Sequence, residues 1–275
     1  MLVLGDREFA RIADFVRENY GINLTKKIAL IQGRLALDIE RRGYPSFKAY
    51  FDEVIAHPGG TECQHLIDKL STNHTFFFRE PDCLEHMCRT AVPELVKKGV
   101  TQIDVWCAAA ASGQECYTVA MVLAEALLLH RGVSYHILGS DINSEVLKKA
   151  AAGIYANAEL QHIPPRFHKR YCRPVDDGHF EIVPALKERI SWQQINLVKP
   201  PRTMKPQHLI FCRNVMIYFE PDVKEALTAE LYRLVRDGGF VYIGNTETLD
   251  MKRTRFCYLG PSVFAKKEQS REIKQ

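Results

Sequence analysis

Phe211-Cys-Arg-Asn-Val-Met-Ile-Tyr-Phe219, entered through Leu209-Ile210, is an apolar run that stops at a polar Arg213-Asn214 pair and then restarts. A stretch such as Leu209-Ile-Phe-Cys212 reads as a strand buried on both faces of a parallel sheet, which puts Arg213 and Asn214 at the sheet's carboxyl edge. Ligands bind at that edge, so this pair and the following Tyr218 read as a site. Outward from it, strand and helix patterns alternate. Gln102-Ile-Asp-Val-Trp-Cys107 reads as a strand, Ser112-Gly113 as a turn, and Cys116 to about His130 as an apolar helix. A strand over Tyr135–Gly139 follows, then the polar Ser-Asp141-Ile-Asn143 and a helix from Ser144 to Ala152. After Cys212 come a helix from Pro221 to about Arg236, a turn at Asp237-Gly-Gly, and a strand over Phe240–Ile243. Strands separated by helices predict a parallel sheet with right-handed crossovers, a Rossmann-like α/β domain.

The first third reads differently. Phe9, Ile12, Ala13, Val16 and Tyr20 recur at helical spacing from Asp6 until Gly21 breaks the pattern. A second helix is predicted from the cap candidate Thr25 to Gly43, with Ile28, Ile31, Leu35 and Ile39 as its apolar stripe. Lys27, Arg34 and Arg41 repeat every seven residues beside that stripe, with Lys26 and Arg42 nearby. Such a row is either a solvated face or a docking surface for an acidic partner. A third helix spans roughly Ser46–Ala56, and another helical segment precedes Ser71.

Composition sets bounds. The chain has 275 residues, 46% hydrophobic and 25% charged, with a formal charge of +4, ordinary values for a soluble globular protein. No apolar run approaches the ~18 residues of a membrane span, and the start has no leader pattern, so a cytoplasmic protein is expected. The charge is too small to argue for nucleic acid by itself. Eight scattered cysteines form no CxxC, which argues against zinc or another metal and for a reducing compartment.

Three polar groups fall at the ends of three strands. Ala-Ala-Ala-Ala111-Ser-Gly-Gln-Glu115 offers small residues that let a ligand approach the backbone, before a helix N-terminus. With only one glycine it is no G-x-G-x-x-G loop, which weakens a diphosphate reading. Asp141 stands where an acidic side chain takes ribose hydroxyls, or where it caps the next helix. Arg213-Asn214 is the third group. Together they describe a nucleoside site without a diphosphate, which suits S-adenosylmethionine better than NAD. Before the sheet, Ser71-Thr-Asn73-His-Thr75-Phe-Phe-Phe-Arg79-Glu80 sets three phenylalanines beside polar residues. Core packing covers the aromatics; a buried Arg79 would need a partner, and a catalytic arginine oriented by them is the sharper reading.

These segments, with Trp106-Cys-Ala-Ala-Ala-Ala-Ser-Gly-Gln-Glu-Cys-Tyr117, Gly139-Ser-Asp-Ile-Asn143, Ala151-Ala-Gly-Ile-Tyr155 and the opening run, are similar to the motifs of the CheR-type chemotaxis receptor methyltransferases. The resemblance runs in order from about Phe9 to Ala265. It implies an S-adenosylmethionine-dependent O-methyltransferase that esterifies glutamate side chains on the cytoplasmic part of chemoreceptors. By motif position it implies that Asn73, Thr75 and Arg79 contact the cofactor, and that Glu115 and Asp141 hold its amino-acid and nucleoside parts. Asn196 and Leu197 would flank the adenine, Arg213 and Asn214 would line the pocket, and Arg79 and Tyr218 would lie beside the methyl group. Lys26, Lys27, Arg34 and Arg41 would match a basic receptor-recognition surface.

The implied organisation is a helical domain over 1–70, a linker over 71–90, a Rossmann-like domain over 91–268 and a charged tail over 269–275. A small antiparallel β-subdomain is placed at about 171–192, from Phe180-Glu-Ile-Val183 and Arg189-Ile-Ser-Trp192. Some members dock a receptor's C-terminal pentapeptide there on a longer loop; the shorter loop here implies the pentapeptide-independent type.

Three positions depart from the family pattern: Gly244-Asn-Thr-Glu247 for Gly-His-Ser-Glu, Gln207-His208 for Phe-Asp, and Gln114-Glu115 for paired glutamates. Neither nucleic acid nor membrane insertion is expected. A methyltransferase for another acceptor and a non-catalytic cofactor sensor share the cofactor half and stay open on the residues alone.

Overall fold

The computed structural model describes residues 2–25 and 27–268, so Lys26 and the tail 269–275 lie outside the described residues. Four helices come first: α1 (Asp6–Tyr20), α2 (Ile28–Arg41), α3 (Phe47–Ala56) and α4 (Thr61–Leu70). α1 stops where the spacing says, at Gly21, whose left-handed φ of 69° lets its N–H reach the Arg17 carbonyl. α2 starts later than Thr25. The Thr25 N–H is taken by Asn23 Oδ1 in a turn, and Lys27 occupies the cap position without a side-chain bond. Ser46 caps α3 through the Ala49 N–H. The apolar stripes of the four helices close over one core that includes Ile12, Ile31, Leu35, Tyr50, Phe51 and Ile67.

The remaining elements are α5 (Asp82–His86) and α6 (Val92–Lys97), joined by a π-turn over Met87–Ala91, then β1 (Gln102–Cys107), α7 (Gln114–Ala126), β2 (Ser134–Asp141) and α8 (Ser144–Ala152). β3 (Ile154–Ala156), α9 (Pro165–Tyr171), β4 (Cys172–Pro174), β5 (His179–Ile182) and α10 (Pro184–Lys187) follow. The chain ends through β6 (Ile190–Gln194), β7 (Gln207–Cys212), α11 (Pro221–Leu234), β8 (Val235–Ile243), β9 (Cys257–Gly260) and β10 (Val263–Ala265). The second half of the expected 71–90 linker is therefore helix. Cys83, Leu84 and Met87 are buried in the sheet domain's own core, which is why the chain turns helical at Asp82.

The main sheet has the order β6-β2-β1-β7-β8-β10-β9. Its first five strands pair in parallel, and β10 runs antiparallel to both of its neighbours, β8 and β9. The chain leaves β1 for β2 on one side and returns to β7 on the other, so the strand order reverses between β1 and β7. That switch point is where an open α/β sheet has its ligand crevice.

The β-subdomain is displaced from 171–192. Its three strands, in the order β3-β5-β4, begin at Ile154 and end at Ile182. Ile190–Gln194 instead pairs in parallel with β2 at the edge of the main sheet. The reason is a long-range fit: the Trp192 ring fills the space where a Cβ on Gly139 would stand and meets Tyr117 edge-on at 5.9 Å. A five-residue alternating strand carries no mark of which sheet it will join. No helix among the described residues is long and apolar enough to cross a membrane.

Candidate cofactor and acceptor site

At the carboxyl ends of β1, β2 and β7 lies one cleft, with about 1300 Å³ of empty space counted out to its mouth. The sheet side contributes Ala108, Ala109, Ala111, Asp141, Ile142, Arg213, Asn214 and Tyr218. The helical domain closes the other side with Tyr20, Ile22, Leu24, Lys27 and Ile31, and the segment from Ser71 to Arg79 crosses between them. The backbone is held in left-handed conformations at non-glycine residues around this cleft: Phe78 (φ 54°), Glu80 (53°), Ala111 (46°) and Asn214 (57°). Such conformations cost free energy and persist where surrounding bonds fix them, commonly at functional sites.

Those bonds are visible. Arg213 is buried, its Nη1 donates to Glu115 Oε2 at 2.7 Å, and its Nη2 donates to Glu80 Oε2 at 3.0 Å and to the Arg79 carbonyl at 2.6 Å. Asn214 Nδ2 donates to the other Glu80 oxygen at 3.1 Å. Glu247 takes the N–H groups of Asn214 (2.9 Å), Gly244 (2.7 Å) and Ile217 (3.3 Å). One cation thus sits between two carboxylates, with a third acceptor pinning the loop that follows β7. Burial pushes the Glu115 carboxyl up against the pull of Arg213. Burial acts the same way on Glu80, but the Asn214 amide and the Arg213 guanidinium outweigh it and hold Glu80 below the ordinary range.

Neither Glu80 nor Glu247 was singled out from the sequence. Glu80 stands beside Arg79 in a quoted motif, and a buried Arg213 asks for such a carboxylate partner; Glu247 ends the departing Gly-Asn-Thr-Glu and bonds backbone N–H groups, which no local pattern marks. The three phenylalanines go separate ways: Phe76 against His162 (5.1 Å), Phe77 against Tyr155 (5.0 Å) and Phe78 against Phe167 (4.9 Å).

Asp141 is not the cap of α8. Asn143 caps that helix, accepting from the Glu145 and Val146 N–H groups, while Asp141 Oδ2 accepts from Ala111 N and Oδ1 from Asn143 N, each at 2.9 Å. Burial raises its carboxyl, with these N–H groups pulling the other way. Asn196 and Leu197 both line the cleft, but the Asn196 side chain is occupied by the Asn19 carbonyl at 2.8 Å and the Val198 N–H at 3.0 Å. Asn73 lines it too, donating to Ser71 Oγ at 3.2 Å, as does Thr75. Arg79 lies over the Phe76 ring at 5.6 Å and donates to the His74 carbonyl at 3.1 Å.

The basic row on α2 divides. Lys27 points to the cleft, its Nζ 5.9 Å from the centre of the Tyr218 ring. Arg34 departs from the expected docking face: its Nη1 caps α4, donating to the carbonyls of Lys69, Leu70 and Ser71 at 3.1 to 3.3 Å. The last carbonyls of a helix have no internal partners, so a neighbouring guanidinium is drawn to them. Arg41 is exposed at the end of α2.

Residues 73–264 match the family model for the CheR methyltransferase SAM-binding domain, and residues 7–71 match the CheR methyltransferase all-alpha domain. The chain belongs to the CheR methyltransferase family. It is 33% identical to a chemotaxis protein methyltransferase of Borreliella burgdorferi over 94% of both chains. It is 32% identical to that of Escherichia coli over 96% of this chain and 92% of the relative. A solved S-adenosylmethionine-dependent methyltransferase from Methanococcus maripaludis covers 72% of this chain and 97% of its own, with 13% identity and a TM-score of 0.38, too loose a likeness to argue from.

Membership makes this CheR protein an S-adenosylmethionine-dependent methyltransferase, and the cleft suits that cofactor. Alanine 108, 109 and 111 leave the backbone open to a close approach. Asp141 keeps unused lone pairs for a ribose diol. Ile142, Ile195, Leu197 and Phe219 offer an apolar slot for an adenine plane. Glu115 and Arg213 are the opposite charges on this wall that would face an amino-acid zwitterion. Arg213 Nε is buried without a partner among the described residues.

Proposed function

We propose that this CheR protein methylates glutamate side chains on the cytoplasmic part of chemoreceptors, forming methyl esters. The observation that carries the reading is Lys27 of the helical domain standing 5.9 Å from the Tyr218 ring of the sheet side, in a cleft that Arg79 also lines from the segment crossing between the two. Cations and a phenol beside a sulfonium site suit an anionic acceptor. A glutamate with a pKa of about 4.3 is already ionised at neutral pH, so the transfer needs no general base. Bound S-adenosylmethionine supplies an electrophilic methyl group. The chain's task is alignment, which is worth roughly 7 to 11 kcal/mol of barrier in well-oriented reactions. We assign Tyr218 and Arg79 to orienting the carboxylate, since too tight an ion pair would blunt its nucleophilicity. Closure by the helical domain strips water from the reacting charges. The relatives' description as chemotaxis methyltransferases supports the acceptor class.

We read the basic residues Lys27 and Arg41, with Lys26, as the receptor-facing set, and Arg34 as their support from within. The turn between β4 and β5 is only Val175-Asp-Asp-Gly178, which supports a pentapeptide-independent enzyme. Incubation with methyl-labelled S-adenosylmethionine and receptor-containing membranes tests the acceptor. Label should enter the receptor and leave as methanol in alkali. Alkali-stable label, or label elsewhere, would point to another acceptor, and cofactor binding without transfer would point to a sensor. Calorimetry with a receptor-tail peptide should show no binding.

A further inference from the structure

We propose that the C-terminal turn of α4, in the helical domain, is a positioning element for the cofactor's ribose, acting through Asp68 on the loop that carries Asp141. Asp68 Oδ1 accepts from the Ser144 N–H at 2.9 Å, and Oδ2 accepts from the Ser144 hydroxyl at 2.8 Å. A carboxylate from one domain thus satisfies an N-terminal donor of α8 in the other, where a helix's first N–H groups lack internal partners. The adjoining residue is held as well: Asn143 Nδ2 donates to the Asp68 carbonyl at 2.9 Å and to Ser71 Oγ at 2.8 Å. Between Asp141 and Asn143, the Ile142 carbonyl accepts from Gln64 Nε2 at 3.0 Å, and Gln64 also donates to Asp68 Oδ1 at 2.7 Å. Every residue from Ile142 to Ser144 is therefore bonded to α4 or to Ser71. Asn143 in turn donates its own N–H to Asp141.

The consequence follows from geometry. Asp141 is held by Ala111 on one side and by Asn143 on the other, so the placement of Asn143 sets where the carboxylate stands. The Asn143 Nδ2 is held from outside the sheet domain, by the Asp68 carbonyl and Ser71 Oγ, while its Oδ1 caps α8. The turn that fixes it is itself secured by Arg34 from α2, through the carbonyls of Lys69, Leu70 and Ser71. Asp68 is not among the residues that line the cleft; it acts through Asn143 and Ser144. This inference rests on the reading that Asp141 takes the ribose hydroxyls.

The test measures binding of S-adenosylhomocysteine and of its 2′-deoxy analogue to the full chain by calorimetry. Asp68→Ala should weaken S-adenosylhomocysteine about five- to tenfold, the size of a lost helix cap. It should also shrink the preference for the ribo over the deoxy ligand, and raise KM for the cofactor more than it lowers kcat. Asp68→Asn keeps an acceptor for the Ser144 N–H and should recover most of the affinity. Arg42→Ala, which breaks the Arg42–Glu62 pair inside the helical domain, serves as the control for simple loss of stability. If Asp68→Ala lowers the unfolding temperature but keeps the ribo preference, or if Arg42→Ala weakens the ligand equally, the positioning role is overturned. Asp141→Asn separates the two readings. If it leaves ligand affinity unchanged, the ribose assignment itself fails; if it weakens binding and Asp68→Ala does not, only the present proposal fails.

Discussion

Arg213 and Arg79 are adjacent in the cleft and carry different burdens. The Arg213 guanidinium is 3% exposed between Glu80 and Glu115, which are 15% and 13% exposed. Removing it leaves two partly buried carboxylates facing each other without a counter-ion. Arg213→Met should therefore cost about 3 to 5 kcal/mol in denaturant unfolding, as breaking a buried ion pair does. A cost under about 1 kcal/mol would mean that water already screens the pair. Arg79 is held by the His74 carbonyl, the Phe76 face and a long contact to Glu80 Oε1 at 3.8 Å, and Glu80 keeps Arg213 without it, so Arg79→Ala should leave the fold intact while lowering turnover at least tenfold. Unchanged turnover in that purified variant would remove Arg79 from the reaction. The sequence marked both arginines but not their difference, because the partners that distinguish them lie 98 and 133 residues from Arg213 in one case and next door in the other.

The elements legible in the sequence were those whose burial is written in their own residues. β1, β2 and β7 each carry an apolar centre (Val105-Trp-Cys107, Ile137-Leu138 and Leu209-Ile-Phe-Cys212), and α1 and α4 are amphipathic; each appears close to its expected place. β6 joins the main sheet and not the small subdomain its pattern suggests, and β9 and β10 carry no pattern that marks them, because short strands take their identity from a partner far along the chain. The loop between β1 and α7 shows how a single legible residue can carry an element. Gly113 precedes α7 with φ 95°, and a Cβ there would stand 2.9 Å from the Ala150 Cβ and 3.0 Å from the Tyr155 hydroxyl. That hydroxyl donates to the Ser112 carbonyl at 2.7 Å, so α8, β3 and the cofactor loop meet at this point. Gly113→Ala should cost about 2 to 4 kcal/mol, from the left-handed backbone and the overpacking together, and should weaken S-adenosylhomocysteine. Gly132→Ala is the matched comparison: its φ is 87° but nothing lies within 4 Å. It should cost about 1 kcal/mol and leave the ligand unaffected. Equal effects would show that packing at Gly113 does not matter.

At the scale of the molecule, two domains read separately from the sequence prove to share one cleft. The segment after α1 forms an antiparallel bridge from Ile22 to Phe219, and the Asn23 N–H meets the Tyr218 carbonyl at 3.0 Å. Nothing in either segment's pattern predicts that meeting, since closure of one domain on another depends on shape rather than periodicity. The same distance between sequence and assembly governs how the protein responds to acid. His208, read only as a departure from the family's acidic residue, is buried between β7 and β1, where its Nδ1 accepts the Asp104 N–H at 3.0 Å. That bond requires a neutral ring. Burial and the nearby Arg236 lower its pKa from 6.5 against the pull of Asp104, and burial lowers that of His86, which meets Tyr242 at 3.1 Å, against the pull of Glu94. A histidine whose folded pKa is depressed binds fewer protons folded than unfolded below 6.5, so stability rises with pH there and is lost on acidification. Urea unfolding followed from pH 7.5 to pH 5 should therefore show a steady decline. His208→Asn keeps an acceptor for Asp104 and cannot titrate, so it should unfold within about 1 kcal/mol of the parent at pH 7.5 and decline less steeply, with His86 supplying what slope is left. A variant as acid-sensitive as the parent would place the loss elsewhere than at the junction of these two strands.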